Sequence, residues 1–168
     1  RTRSEPFFEI EVDPVFDRPV RSGNGWLHVS FEGKVFESTV DDDVITVSEG
    51  GDLLTEEDKG WRVGGYQVVE YHRKLGLLFT MMHEGEKDTH EEAGNEVWVF
   101  QRDTGRRIAR IKLAAAATNL LVSQDDEPLL TVTGTDNALH VYDVKTAKHV
   151  RSIEQSGSFP GLLQSFEK

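Results

Sequence analysis

No cysteine occurs anywhere in the 168 residues. That excludes a disulfide scaffold, a thiolate zinc site and a cysteine nucleophile. It does not assign a compartment, because exported and cytoplasmic proteins alike can lack the residue. Long apolar runs are also missing: none approaches the roughly 20 residues of a membrane helix, so no membrane span is expected. The first stretch, RTRSEPFFEI, has no apolar centre of the kind a signal peptide needs, so no signal is read within the chain. Positive charge is scarce. Against 30 Asp and Glu stand 19 Lys and Arg, for a net charge of -11. A nucleic-acid partner requires a basic footprint, and none is expected here. The acidic excess instead suits a soluble surface that selects basic partner patches.

What the chain does have is alternation. Apolar residues are 37% and charged residues 29%, the balance of a globular domain. Trp26–Phe31 and Val35–Val40 alternate in period 2 around a turn at Glu32-Gly33-Lys34, which predicts a hairpin. Val44–Val47 follows the acidic bend Asp41–Asp43. A second unit reads as strands at Tyr66–His72, Leu77–Met82, Val97–Phe100 and Arg107–Leu113. A third repeats the order at Asn119–Ser123, Leu129–Thr133, Leu139–Asp143 and His149–Ile153. Helical pattern is confined to Leu53–Lys59, where Thr55 is placed to cap a single turn. Ala114–Ala117 has helical composition, but its position suits the beginning of the third unit packed close to a neighbour.

The second and third units align. Val99 with Val141, Phe100 with Tyr142, Thr104 with Thr146 and Ile111 with Ile153 are each 42 positions apart. A four-stranded meander repeating at roughly 40–50 residues is the mark of a β-propeller blade. The fold class expected is therefore all-β, with about three four-stranded antiparallel blades at 1–53, 61–113 and 114–155. The tail 156–168, with Phe159, Leu162, Leu163 and Phe166, is expected to reach a neighbouring blade. Closed propellers have roughly four to eight blades. Three blades leave apolar faces at both ends, so the chain is expected to need the remaining blades, from the same gene product or a separate chain.

Candidate chemistry is thin. His83, Glu84, Glu86, Asp88, His90, Glu91 and Glu92 supply metal-ligand types without any metal-site spacing, and such loops are usually solvated. Asp41–Asp43 and Asp125–Glu127 lack the ligand order of a calcium loop and read as turns. Gly64-Gly65 lacks the rest of a phosphate-binding pattern, and a tight turn accounts for it. Ser123, His72 and the Asp residues form no nucleophile motif. Trp26, Trp61 and Trp98 suit core or interface packing. No catalytic, cofactor-binding or metal residue is assigned on the chain.

Gly60-Trp61-Arg62-Val63-Gly64-Gly65-Tyr66-Gln67, Tyr71-His72-Arg73, Met81-Met82-His83-Glu84-Gly85, Thr89-His90 and Glu96-Val97-Trp98-Val99-Phe100 occur in that order. Together with Thr104-Gly105, Asn119–Pro128 and the Leu139–Ile153 hairpin, they resemble the large (heavy) subunit of the bacterial quinoprotein amine dehydrogenases. These are the methylamine and aromatic amine dehydrogenases. The resemblance runs over roughly 20–155 and covers the C-terminal half of such a subunit. It implies a seven-bladed propeller in a heterotetramer of two large and two small subunits. It further implies that the small, disulfide-rich subunit carries tryptophan tryptophylquinone, oxidises primary amines to aldehyde and ammonia, and passes electrons to a periplasmic copper protein (a cupredoxin). A periplasmic location is implied with it. Carried over by resemblance, Trp61, Arg62, Gly64, Gly65, Tyr66 and His90 are the expected structural or partner contacts.

Two positions depart from the family pattern. Val63 stands where Pro is common, and Thr146-Ala147 replaces a Thr-Gly turn, which predicts a different turn for that hairpin. Two other readings fit the blades without the motifs. One is a propeller that binds proteins with no redox role; the other is a propeller hydrolase with a central metal.

Overall fold

The structure, a computed structural model, describes residues 19–41, 44–65, 68–86, 89 and 91–154. Twelve strands run through these residues, all paired antiparallel. Four form the first sheet in sequence order: β1 (Val20–Ser22), β2 (Gly25–Val29), β3 (Lys34–Asp41) and β4 (Val44–Asp52). Then come β5 (Trp61–Val63) and β6 (Val69–His72), which both pair with β7 (Leu77–Glu84), followed by β8 (Gly94–Gln101). The path continues through β9 (Arg107–Val122), β10 (Leu129–Gly134), β11 (Ala138–Asp143) and β12 (Lys148–Glu154).

Most predicted strands recur within a residue or two. The 42-residue repeat also extends to details that alternation does not reveal. The register slips between Val99 and Phe100, and again between Val141 and Tyr142. A bulge at matching points of the two meanders twists each outer hairpin in the same way.

β9 departs from expectation. Arg107–Leu113 and Asn119–Ser123 were predicted as separate strands, but one strand of 16 residues covers almost all of both. Its first half pairs with β8 and its second half with β10. Ala114–Ala117 makes this crossing possible, because methyl side chains let the strand run from one meander of the eight-stranded sheet into the next without crowding either. Ala117 is fully buried. Crossing takes backbone groups out of the ladders, and these find other partners. The amide of Ala114 donates to the Tyr142 hydroxyl at 2.7 Å. The carbonyl of Ala116 accepts from the Thr135 amide, also at 2.7 Å. β1 and β5 escaped the sequence reading because each holds only three residues. The single predicted helical turn is present as a 3₁₀ turn over Glu56–Asp58.

Packing is face to face. Leu27, Val29 and Val35 of the first sheet meet Val63, Leu78, Met82, Trp98 and Phe100. Phe79, Met81, Val97, Val99 and Ile111 meet Leu120, Leu130, Val132 and Tyr142 on the other side. Strands β7 and β8 are thus buried on both faces, which is why they read as continuous apolar runs. Antiparallel meanders stacked in this way make a β-propeller arc. Its outermost described strands are open: Val44 and Ile45 in β4, and Val150 and Ile153 in β12, are exposed.

The turn at Thr146-Ala147 corrects one expectation. Ala147 has φ +55° and Gly105, its counterpart 42 positions earlier, has φ +64°. The hairpin keeps the left-handed turn despite losing its glycine. Asp143 holds the turn in place, its carboxylate accepting from the Thr146 amide at 2.7 Å and hydroxyl at 2.8 Å. A left-handed alanine costs about 1 kcal/mol or more. Ala147→Gly should therefore raise the denaturation midpoint, by about 1 kcal/mol of stability in a urea titration. An unchanged or lowered midpoint would contradict this account of the turn.

Candidate functional site

The segment from Thr55 to Gly65 joins the first sheet to the second and carries four of the six expected contact residues. Its 3₁₀ turn is closed by Asp58. One Asp58 carboxylate oxygen accepts from the Thr55 amide and the Thr55 hydroxyl, each at 3.0 Å. The other pairs with Arg107 of β9. Asp58 is buried, and burial alone would raise its pKa. The hydrogen bonds from Arg107 and Thr55 outweigh that effect and hold it below the usual carboxylate range.

Arg107 and Arg110 then line a cation–aromatic stack. The Arg107 guanidinium lies 4.2 Å from the Trp98 ring centre. That of Arg110 lies 4.8 Å from Trp98 and 4.7 Å from Trp61. The two indoles sit 4.9 Å apart, tilted by 42°. Glu96 fixes the arrangement. It takes Arg110 in a two-point grip, Nε to Oε2 at 2.7 Å and Nη2 to Oε1 at 2.9 Å. It also accepts the Trp98 indole N–H at 2.6 Å. Burial would raise the Glu96 pKa, but these bonds lower it on balance. Trp98 is wholly buried and Trp61 partly so, while Trp26 stands apart at 38% exposure. The tryptophan pair is therefore a packing joint.

Arg62 points from β5 over the Phe31 ring, 5.8 Å from its centre, and donates to the Trp61 carbonyl at 2.7 Å. Its Nε is buried without a partner among the described residues. An open groove of about 330 Å³ lies beside it, with Lys34, Asp52, Thr55 and Lys59 on its walls.

Gly64 and Gly65 have separate physical reasons. A Cβ on Gly64 would run into His83 Nδ1 and stand 2.9 Å from the Glu92 carbonyl. Gly65 has φ +60°, and its amide donates to that same carbonyl at 2.7 Å. This glycine pair interrupts the strand between β5 and β6 and anchors the β7–β8 connection. The site residues Tyr66 and His90 lie outside the described residues. So do Asp88 of the acidic loop and two residues of the Asp41–Asp43 bend. Among the described residues, no three histidine or carboxylate side chains converge as metal ligands.

One constellation was not foreseen. Both carboxylate oxygens of Asp136 reach His140 Nε2, at 3.1 and 3.0 Å. His140 Nδ1 is 2.9 Å from the Ser152 hydroxyl, which is 3.0 Å from His149 Nε2. The bond to His140 lowers the Asp136 pKa. Asp136 therefore accepts a hydrogen bond from His140 Nε2, which orients the ring so that Nδ1 meets the Ser152 hydroxyl. The chain ties the β10–β11 turn to the exposed edge strand β12. Only the four-residue spacing of Asp136 and His140 hints at it in the sequence, because Ser152 and His149 come from the paired strand.

Two substitutions test this joint. Arg107→Leu leaves the Asp58 charge buried and unpaired, and should cost about 3–5 kcal/mol in denaturant unfolding. Gly65→Ala should cost about 1–2 kcal/mol, from the left-handed backbone alone. If both variants unfold at the wild-type midpoint, the segment is not the clasp its contacts describe.

Comparison with known proteins agrees with the motifs. The family profile described as methylamine dehydrogenase heavy chain (MADH) matches residues 3–167. The methylamine dehydrogenase heavy chain of Paracoccus versutus is 30% identical over 166 residues, taking in 95% of this chain and 39% of that protein. That of Methylobacillus flagellatus is 31% identical over 160 residues, with 92% and 40% covered. The chain thus spans about two fifths of the length of these relatives. Among solved structures, Kuenenia stuttgartiensis hydrazine synthase superimposes with a TM-score of 0.58 at 16% identity, over 96% of this chain and 41% of that one. Chaetomium thermophilum Raptor does so at 0.54 and 14%, over 78% and 11%. At such identities the two superpositions speak for the fold alone. A profile match across nearly every residue says more: this chain belongs to the methylamine dehydrogenase heavy chain family.

Proposed function

We propose that the chain is a propeller segment of the large, non-catalytic subunit of an amine dehydrogenase. In this reading the redox chemistry belongs to a separate small subunit carrying tryptophan tryptophylquinone. There a primary amine becomes aldehyde and ammonia, and electrons pass on to a cupredoxin in the periplasm. This chain's work is to hold and orient that small subunit within a heterotetramer. The observation that carries the reading is the match to the heavy-chain family from residue 3 to residue 167. The open sheets at β4 and β12 agree with it, since the remaining blades of a heavy chain would cover them.

Within this reading, Trp61, Arg62, Gly64, Gly65, Tyr66 and His90 shape the side of the propeller on which the partner sits. The described four act through the fold. Trp61 and Arg62 stiffen the joint between two sheets, and the glycines bring the β7–β8 connection against it. Rigid support of this kind keeps a docking surface preorganised and limits the ordering cost of binding.

Native purification through a tag on this polypeptide provides the test. The expected product is a complex containing a small chain with quinone absorbance and amine-dependent reduction of a copper-protein acceptor. A complex of assembly or signalling proteins, with no quinone-bearing chain, would favour a protein-binding propeller without redox function.

A further inference from the structure

His83, next to last in β7, is 3% exposed, a setting the proposed function does not use. Its hydrogen bonding fixes its tautomer. The Thr89 hydroxyl donates its single proton to the Glu86 carbonyl at 2.7 Å. At His83 Nε2, 2.8 Å away, the Thr89 oxygen must therefore accept. Nε2 carries the proton, and Nδ1 is a bare lone pair. That lone pair is buried and has no partner among the described residues. It faces Gly64, at the place where a Cβ would collide with it, while Gly85 closes on the Nε2 side. The ring is clasped between two glycines, with Phe31 of the β2–β3 turn 6.2 Å away.

The ring therefore suits the neutral imidazole and resists the cation. A second proton would put an N–H on Nδ1, where none of the described residues accepts it. Burial is the largest influence and lowers the His83 pKa from its ordinary 6.5. Two charged groups act on it from neighbouring elements. Glu92, in the β7–β8 connection, favours the cation, and Arg62, on β5, opposes it; the net direction is down.

We propose that His83 is a proton-sensitive latch that holds Gly85, Thr89 and Glu92 against the Gly64-Gly65 break while neutral and releases them when protonated. The latched state is defined by backbone bonds as well as the ring. The Gly65 amide donates to the Glu92 carbonyl at 2.7 Å, the Glu92 amide to Thr89 at 3.1 Å, and the Gly85 amide to Gly60 at 2.9 Å. Release frees the imidazole to take its second proton in water. The sign follows from linkage. A histidine whose pKa is lowered in the closed state binds its proton more readily in the open state. Closure is then at full strength above the ordinary value of 6.5 and weakens as pH falls below it. A single proton changes the opening equilibrium by at most about tenfold per pH unit. Neither the quinone partner nor the activity of the assembly enters this inference.

Hydrogen exchange on the full-length chain in its native assembly tests it. The amides of Gly65, Gly85 and Glu92 are followed from about pH 8 to about pH 5, corrected for intrinsic exchange at each pH. Opening should rise as pH drops below 6.5, by up to about tenfold per unit. His83→Gln keeps a neutral donor for Thr89 and should flatten the profile. His28→Gln should leave it intact, although burial lowers the pKa of His28 as well. A flat wild-type profile, an unchanged slope in His83→Gln or a lost slope in His28→Gln would each overturn the proposal. If His83→Gln does not fold, the wild-type imidazole titration decides. A midpoint below 6.5 that tracks amide opening supports the latch, and one at or above 6.5 ends it.

Discussion

Trp98 is the side chain on which the joint between the first two sheets depends. It sits mid-strand in β8, wholly buried, with Trp61 tilted against it and two guanidinium groups within 4.8 Å of its ring. Removing so large a buried side chain costs about 3–5 kcal/mol in typical cores. The polar ring around it is equally committed. Glu96 binds the indole N–H and Arg110, and Asp58 binds Arg107, so each arginine over the indole is tied to a carboxylate. Two-sided burial of β8 is thus made compatible with charged residues on the flanking strand, because their aliphatic stems cover the aromatic rings while their heads pair.

The same constraint shapes the second interface. A middle sheet buried on both faces needs a neighbour on each side, and β9 supplies the link by serving two meanders in turn. Four consecutive alanines make the passage narrow, and the backbone groups it strands are bonded by Tyr142 and Thr135. Stability here is a property of adjacent sheets in contact, as expected for a repeat array. It also explains why the outermost described strands keep valine and isoleucine side chains exposed.

For function, this architecture divides the labour. The heavy-chain match gives the chain a family, while the Asp58, Arg107, Glu96 and Arg110 contacts tie neighbouring strands together. The Asp136, His140, Ser152 and His149 chain has donor and acceptor types familiar from catalysis, yet it ties a turn to an edge strand. The glycines carried over by resemblance turn out to be places where side chains have no room or the backbone is left-handed. Their pattern in the sequence is a steric signature, and the protonation-sensitive histidine lies directly against it.

Period-2 alternation and the 42-residue repeat determined the all-β propeller class, because side chains on a pleated strand must alternate between faces and a meander recurring at that period is one blade. The motifs around Trp61, Gly64-Gly65 and Trp98 carried the family, because the order and spacing of such residues survive in linear form. Other features rest on groups distant in sequence: Asp58 with Arg107, His83 enclosed by Gly64 and Gly85, and Ser152 between two imidazoles. The left-handed Ala147 was equally hidden, since a repeat can hold a backbone conformation after the residue that favours it has gone. Such features depend on which strands become neighbours, and only the packing of one sheet on the next decides that.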